Sequence, residues 1–527
     1  MLKILFTFLG LFLLLLVFVV YKVFIYPYLR LSTFSKKHGK KVKVYFNFGV
    51  GLLKEYKQSL SQYKDSLAFF RNLHQKSLQA IAFCFGTKVG LIFVDSNLIK
   101  QVHQNHEAFM KIDASMAIIY LFGDSLLYAK GKEWQRQRQF LGKSFHFEEI
   151  KNYLPSIKET SMKLFGEIKE QLKQSDQIEI QVVKTCESVT SEVSFRVFFG
   201  QTSQNLKITK EDGSQISVAQ ELVSTITNSF QILQNDKISL IKWMLFERNT
   251  IKYFPTKNEQ NLQKRLIEIK KSCMKVVEKR RIELIKDIKS AKNNFLDQYL
   301  KEMIVNQKSK ISNEEIIDNF LALFFAGTDT TGNMTRVALY YLSLYPDIQN
   351  KAREEIIKLA SSRTKSTNPV DLFNSLTFED IQNLNFLNSV LKESLRLIPP
   401  AIEVFPRVAI QDIQIGDFEV KKGDFINTFF IYNFSNPEIY PEPNNFDPSR
   451  WMKQIDQQNT FNFTPFSLGP RNCIGQHLAM IEGKSMLAYI LLNFEIFPNK
   501  NQEVVKEMKI IYGFQKDNLV YFKNRSQ

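Results

Sequence analysis

The chain has 527 residues, 44% of them hydrophobic, and carries 70 Lys and Arg against 53 Asp and Glu for a formal charge of +17. That apolar content supplies a sizeable core and excludes global disorder. The positive charge is scattered through helical segments, with no zinc-finger spacing and no long basic run. It fits a solvated basic surface, anionic lipid or an acidic protein partner, and excludes a dedicated nucleic-acid module.

Residues 1–26 are expected to be a membrane anchor. Positions 4–21 carry no charge, close to the shortest helix that spans a bilayer of roughly 30 Å. The apolar run resumes after Lys22, which can snorkel. Bulky Tyr21, Val23 and Phe24 follow the run, where a cleaved signal peptide would show small residues. Lys22, Arg30, Lys36, Lys37, Lys40, Lys41 and Lys43 outweigh Lys3 and the amino terminus, which puts the following domain on the cytosolic side. Residues 27–50 are expected to be a basic linker, and 51–527 one catalytic domain.

Within that domain, apolar periodicity predicts amphipathic helices at 150–172, 262–288 and 313–344. Strands are fewer: 90–95, and 413–430 with a Lys422-Gly423 turn. Gly49-Val50-Gly51 resembles the start of a dinucleotide fingerprint, but Lys54 stands where the third glycine belongs, so it reads as a loop. No phosphate loop occurs elsewhere. Electrons for any redox chemistry must therefore come from another chain. Cys84, Cys186, Cys273 and Cys473 are far apart and form no C-x-x-C, as in a reducing compartment without disulfides. None of the six histidines (His38, His74, His103, His106, His146 and His477) has a plausible zinc partner, and all read as structural or exposed.

Several short motifs stand out in chain order. Trp134 and Arg138 are spaced i, i+4, aiming both side chains the same way. Ala326-Gly327-Thr328-Asp329-Thr330-Thr331 interrupts a strongly helical run with residues that weaken a helix. Glu393 and Arg396 share one helical face ahead of Pro399-Pro400. Arg407 follows Phe405-Pro406. Pro437 to Pro443 contains three prolines and precedes Phe446-Asp447-Pro448-Ser449-Arg450-Trp451. Last comes Phe466-Ser467-Leu468-Gly469-Pro470-Arg471-Asn472-Cys473-Ile474-Gly475, which matches F-x-x-G-x-R-x-C-x-G at every specified position.

That stretch resembles the cysteine loop of the cytochrome P-450 superfamily, and the other motifs fit eukaryotic microsomal members. The resemblance runs from about residue 70 to the carboxyl end and is strongest over 320–482. It implies a mainly α fold with a smaller β part (α+β), a single large heme-binding domain behind an N-terminal transmembrane helix. It implies heme b (iron protoporphyrin IX) with Cys473 as axial iron ligand. A thiolate on iron needs a cationic setting and N–H donors. Gly475 and Gly469 let the backbone approach, the helix after Cys473 turns its positive end to sulfur, and Phe466 packs beside the ligand. Arg471, Trp134, Arg138 and Arg407 are implied as propionate contacts. The family has a His three residues before Pro437; this chain has Phe434, so one heme anchor departs from the pattern. Glu393, Arg396 and Arg450 are implied as a buried ion triad.

Ala326 belongs to the oxygen-activation motif, in which Thr330 is implied to hydrogen-bond bound oxygen and Asp329 to relay protons. The reaction implied is insertion of one oxygen atom from O2 into a lipophilic substrate: a fatty acid, sterol or xenobiotic. Electrons would come from NADPH through a flavoprotein reductase, with cytochrome b5 as a further donor, at the endoplasmic reticulum membrane. Positions 114–127, 320–326 and 401–405 are implied to line the substrate pocket; they are rich in apolar residues and include one acid, Glu403. Two other classes are compatible with the same cysteine loop: a reductase-independent hydroperoxide isomerase or dehydratase, and a non-catalytic heme sensor. Intact Asp329 and Thr330 argue against both.

Overall fold

The N-terminal apolar stretch is helical over Leu2–Val20, and the helix does not stop there. In this computed structural model, which describes residues 2–47, 51–73, 77–85, 88–111, 121–210, 213–239, 242, 250–292, 294–306, 310–402, 406–452, 461–509, 511–517 and 519–525, a π turn at Tyr21–Ile25 carries it into Tyr26–His38. The wider π turn makes room for the ring of Pro27, which has no N–H to give. Side chains of the first segment, such as Leu14 and Val17, are exposed, and this helix is long and apolar enough to cross a membrane.

The stretch expected as a basic linker is folded onto the domain. Leu31 and Phe34 of the Tyr26–His38 helix are buried against the main sheet. Arg30 pairs with Asp424 at 2.6 Å, and Val42–Val44 forms an edge strand. Leu31, Phe34 and His38 share one helical face. The lysines that dominate the composition lie mostly on the opposite face.

The main sheet has six strands in the order Val42–Val44, Ala80–Phe85, Lys88–Phe93, Phe425–Thr428, Arg407–Ala409, Phe109–Lys111. The strand expected at 90–95 is found as Lys88–Phe93, ending two residues earlier because Asp95 already caps the Ser96–Gln104 helix. The stretch expected as strand at 413–430, with one turn at Lys422-Gly423, is three short strands, Ile413–Ile415, Phe418–Val420 and Phe425–Thr428, and Phe430 already begins a helical turn, Phe430–Phe434. Turns at Gly416 (φ 55°) and Gly423 (φ 93°) break it, both in the left-handed region that glycine adopts freely.

Helices make up most of the rest, so the fold is mainly α with a smaller β part, as expected. The Asn313–Leu344 helix runs through the middle. Ser312 caps it by accepting from the Glu315 N–H at 3.1 Å. It packs against Val182–Ser194, Asn385–Leu397 and Gln476–Asn493, which together bury it on nearly every side.

Candidate active site

Cys473 lies in the loop that leads into the Gln476–Asn493 helix. The loop is tied to itself: the Cys473 N–H donates to the Phe466 carbonyl at 2.9 Å, and the Asn472 N–H to the Gly469 carbonyl at 3.0 Å. Two residues take positive φ, Gly469 at 74° and Ser467 at 63°. Glycine suits the first; a serine there costs about 1 kcal/mol. Cys84, Cys186 and Cys273 are buried, whereas Cys473 is exposed. Burial by the surrounding protein still pushes its thiol up, while the Gly475 N–H and Arg138 pull it down.

Cations surround this loop. Arg471 stacks over the Trp134 ring at 4.1 Å and donates to the Ala129 carbonyl at 2.9 Å. Arg138 donates to the Asn472 carbonyl at 2.9 Å and to its side-chain oxygen at 2.6 Å. The Trp134 and Arg138 pair, from the Gly131–Gly142 helix, therefore addresses the cysteine loop itself. Arg407 enters from the sheet, directly across from Lys111 in antiparallel register. Lys111 was missed in the sequence, where it sits in no motif. Its Nζ donates to the Leu127 carbonyl at 2.8 Å, and burial, then Arg471 and Arg407, push its ammonium well down. Burial, Arg407 and Arg138 bring Arg471 down to about 10.

None of Arg138, Arg407 and Arg471 is paired with a carboxylate among the described residues, and the Arg471 Nη1 is buried without a partner. Buried cations that repel one another are costly unless an anion joins them. A group bearing two carboxylates beside a thiolate-bound metal meets that need, so these residues fit heme. His103 is a second residue not singled out by the sequence. It is buried against the loop, with its Nε2 unpartnered. Burial and Arg407 push it down to about 4, against a hydrogen bond to the Leu468 backbone.

The long central helix carries the residues of the expected oxygen-activation motif. It is buried from Ile316 to Phe324 and again from Thr331 to Leu339, but Phe325, Ala326, Gly327, Asp329 and Thr330 are only half-buried. A partly open stretch in the middle of a core helix marks the lining of a cavity. The helix runs unbroken through it. The Thr330 hydroxyl donates back to the Ala326 carbonyl at 2.6 Å, and the Thr328 carbonyl accepts from the Thr190 hydroxyl at 3.0 Å. Such side-chain bonds are how a helix accommodates threonines here. Burial pushes the Asp329 carboxyl up to about 7. Of the expected pocket residues, Phe325 stacks on Phe122 at 5.3 Å. Phe320 and Phe324 turn away to pack on Phe195, at 5.2 and 5.4 Å, and are core. Met116, Ile118, Ile119, Tyr120, Glu403 and Val404 lie outside the described residues.

Behind the cysteine loop, Glu393 and Arg396 are fully buried and doubly bonded, at 2.7 and 2.9 Å. Arg396 also donates to the carbonyls of Phe434, Pro443 and Asn445. Glu393 accepts from the Trp451 indole at 2.9 Å and the Asp447 N–H at 3.1 Å, with Arg450 at 3.4 Å. The Glu393–Arg396 pair is fully hydrogen-bonded, as a buried ion pair requires, whereas the Arg450 Nε approaches Glu393 without a hydrogen bond. Phe434, where the family pattern has His, packs on Phe430 and Phe463 instead.

The cytochrome P-450 family profile matches residues 19–519. Cytochrome P-450 734A1 of Arabidopsis thaliana is 27% identical over 435 residues, covering 81% of this chain and 77% of its own length. Cytochrome P-450 4F5 of Rattus norvegicus is 29% identical over 395 residues, covering 72% and 70%. Among solved structures, the cytochrome P-450DA heme domain superposes with a TM-score of 0.72 over 89% of this chain and 95% of its own, at 17% identity, a likeness of fold. Fold and family define a heme-thiolate oxidoreductase. The chain belongs to the cytochrome P-450 family and is a monooxygenase that incorporates molecular oxygen with a heme iron cofactor.

Proposed function

We propose that this monooxygenase acts on a lipophilic small molecule, a fatty acid, sterol or xenobiotic, with Cys473 as the axial ligand of heme b. The observation that carries the reading is the placement of a single exposed cysteine beside Arg138, Arg407 and Arg471, none of which meets a carboxylate among the described residues. When bound, the heme supplies the iron at which dioxygen is reduced and cleaved. Arg471, which stacks on Trp134, Arg407 and Lys111 would neutralise its propionates. Arg138 holds Asn472 and so fixes the cysteine. Across the cleft, Thr330 offers its hydroxyl once it leaves the Ala326 carbonyl, and Asp329, poised near neutrality, takes up and releases protons beside it. Phe122 and Phe325 keep that face apolar, which favours lipophilic substrates.

Electrons come from NADPH through a separate flavoprotein reductase, with cytochrome b5 as a second donor. The net charge of +17 favours an acidic partner. The apolar N-terminal helix is a single-pass anchor, with the catalytic domain on the cytosolic face of the endoplasmic reticulum, in keeping with the basic residues that follow it. Reduced protein with carbon monoxide should give the thiolate-ligated absorption band, and Cys473→Ser should lose it. Retention of that band by the serine variant would overturn the ligand assignment. Mass spectrometry of membrane lipids and xenobiotics after incubation with reductase and labelled oxygen identifies the substrate.

A further inference from the structure

We propose that Glu187, on the Val182–Ser194 helix, is the relay residue through which Asp329 exchanges protons with solvent; this rests on the reading of Asp329 as a proton carrier. The two helices are in close contact here. The Thr190 hydroxyl bonds the Thr328 carbonyl at 3.0 Å. A Cβ placed on Gly332 would stand 3.4 Å from the Glu187 Cγ and 3.5 Å from its amide nitrogen. Thr328 and Gly332 are one turn apart on the contact face, and Asp329 lies between them, three residues before Gly332. The absent side chain at Gly332 lets Glu187 lie along the central helix toward Asp329.

Neither carboxyl group has a hydrogen-bond partner among the described residues, and both are half-buried. Burial and then Asp329 push Glu187 up to about 8, next to Asp329 at about 7. Two such raised acids on facing helices hold less than two negative charges at neutral pH. The other charged groups facing Glu187 are Arg336, which pulls it down, and Asp517, which pushes it up. Both are fixed: Arg336 donates to the Phe514 carbonyl at 3.1 Å and to Asn333, and Asp517 accepts from the Val183 and Lys184 amides. Buried Cys186 beside it is pushed up and stays a thiol. In the relay, the protonated Glu187 carboxyl gives its proton to the Asp329 carboxylate, directly or through one water, and Glu187 recovers a proton from solvent at its open edge. No electron moves.

The test uses full-length heme-loaded protein in phospholipid vesicles. Infrared titration of the carboxyl bands in the ferric protein reads the contact. With Asp329→Asn, the Glu187 midpoint should drop by about one pH unit; an unmoved midpoint overturns the proposal. NADPH oxidation with the flavoprotein reductase, without added substrate, reads the transfer. Glu187→Gln should slow it on the order of tenfold and raise its solvent deuterium isotope effect, and Glu187→Asp should restore most of both. A silent Glu187→Gln beside an impaired Asp329→Asn sinks the relay role of Glu187 alone. Silence in both sinks the reading of Asp329 as well.

Discussion

Lys111 stands directly across from Arg407 in the antiparallel ladder at the edge of the main sheet. Two like charges in that register repel; Arg407 is buried and Lys111 half-buried. An anionic group bound over the pair would relieve that repulsion.

Arg407→Gln should act with opposite signs on the two forms of the protein. Heme-free protein should gain about 1 kcal/mol, because a cross-strand repulsion is removed. Heme-loaded protein should lose about 1.5–3 kcal/mol of heme binding, because a charge-assisted bond is lost. Thermal melts of both forms, with the rate of heme transfer to an acceptor protein, check this. Equal shifts in the two forms would show that Arg407 does not meet the cofactor.

Asp329 makes stability depend on pH in an unusual direction for a carboxylate. Its folded value, about 7, lies above its ordinary 3.8. The folded state therefore binds more protons than the unfolded state between those values, and stability falls as pH rises from about 4 to about 7. Asp329→Asn should flatten that slope and raise stability at pH 8 by about 1–3 kcal/mol. A chemical denaturation series across pH measures it, and an unchanged slope would count against a raised carboxyl.

Ser467 is a candidate for improvement. It holds a φ of 63° and a buried hydroxyl with no partner. Ser467→Gly removes both costs at the expense of unfolded-chain entropy. A net gain of about 1 kcal/mol and slower heme loss are expected. A lower melting temperature for the variant would show that the hydroxyl has a stabilising role.

The ion cluster predicts a ranking. Glu393→Ala leaves Arg396 charged in the core and should cost about 3–5 kcal/mol. Arg450 is farther from Glu393, at 3.4 Å, and partly exposed, so Arg450→Ala should cost about 1 kcal/mol. The yield of folded heme protein and its melting temperature test the order; a reversed order would sink this account.

Two truncations separate anchor from fold. Removing residues 1–25 spares Arg30, Leu31 and Phe34, and melting of the remaining domain should be unchanged. Removing residues 1–41 uncovers the apolar face and leaves Asp424 without Arg30. Burial already pushes that carboxyl up to about 6, so the loss should reach about 3 kcal/mol. Identical melting of the two truncations would mean that the second helical segment adds nothing.

What the sequence disclosed follows from how local each feature is. The cysteine loop, the Glu393 and Arg396 pair, and the Trp134 and Arg138 pair each lie within ten residues, so spacing alone reveals them. Lys111, His103 and Glu187 reach the site on separate elements with no local pattern, and only tertiary packing brings them together. The segment before residue 45 looked like a tether because lysines outnumber the few apolar residues that dock it. Within 413–430 the Lys422-Gly423 turn shows in the sequence, whereas Gly416 is a lone glycine in a run of otherwise strand-forming residues. Phe434 could be seen as a departure, but not as a core residue whose carbonyl serves Arg396.

The helix that begins at Leu2 and ends, docked, at His38 is a stiff strut of about 55 Å. With its upper part in a bilayer, the catalytic body has no slack with which to swing or drift outward. Its tilt and height become properties of the strut, so any mouth of the cleft keeps a set distance from the lipid. A substrate dissolved in the membrane then meets that mouth by lateral diffusion, and lengthening the strut by a single turn would lift and rotate the entrance together.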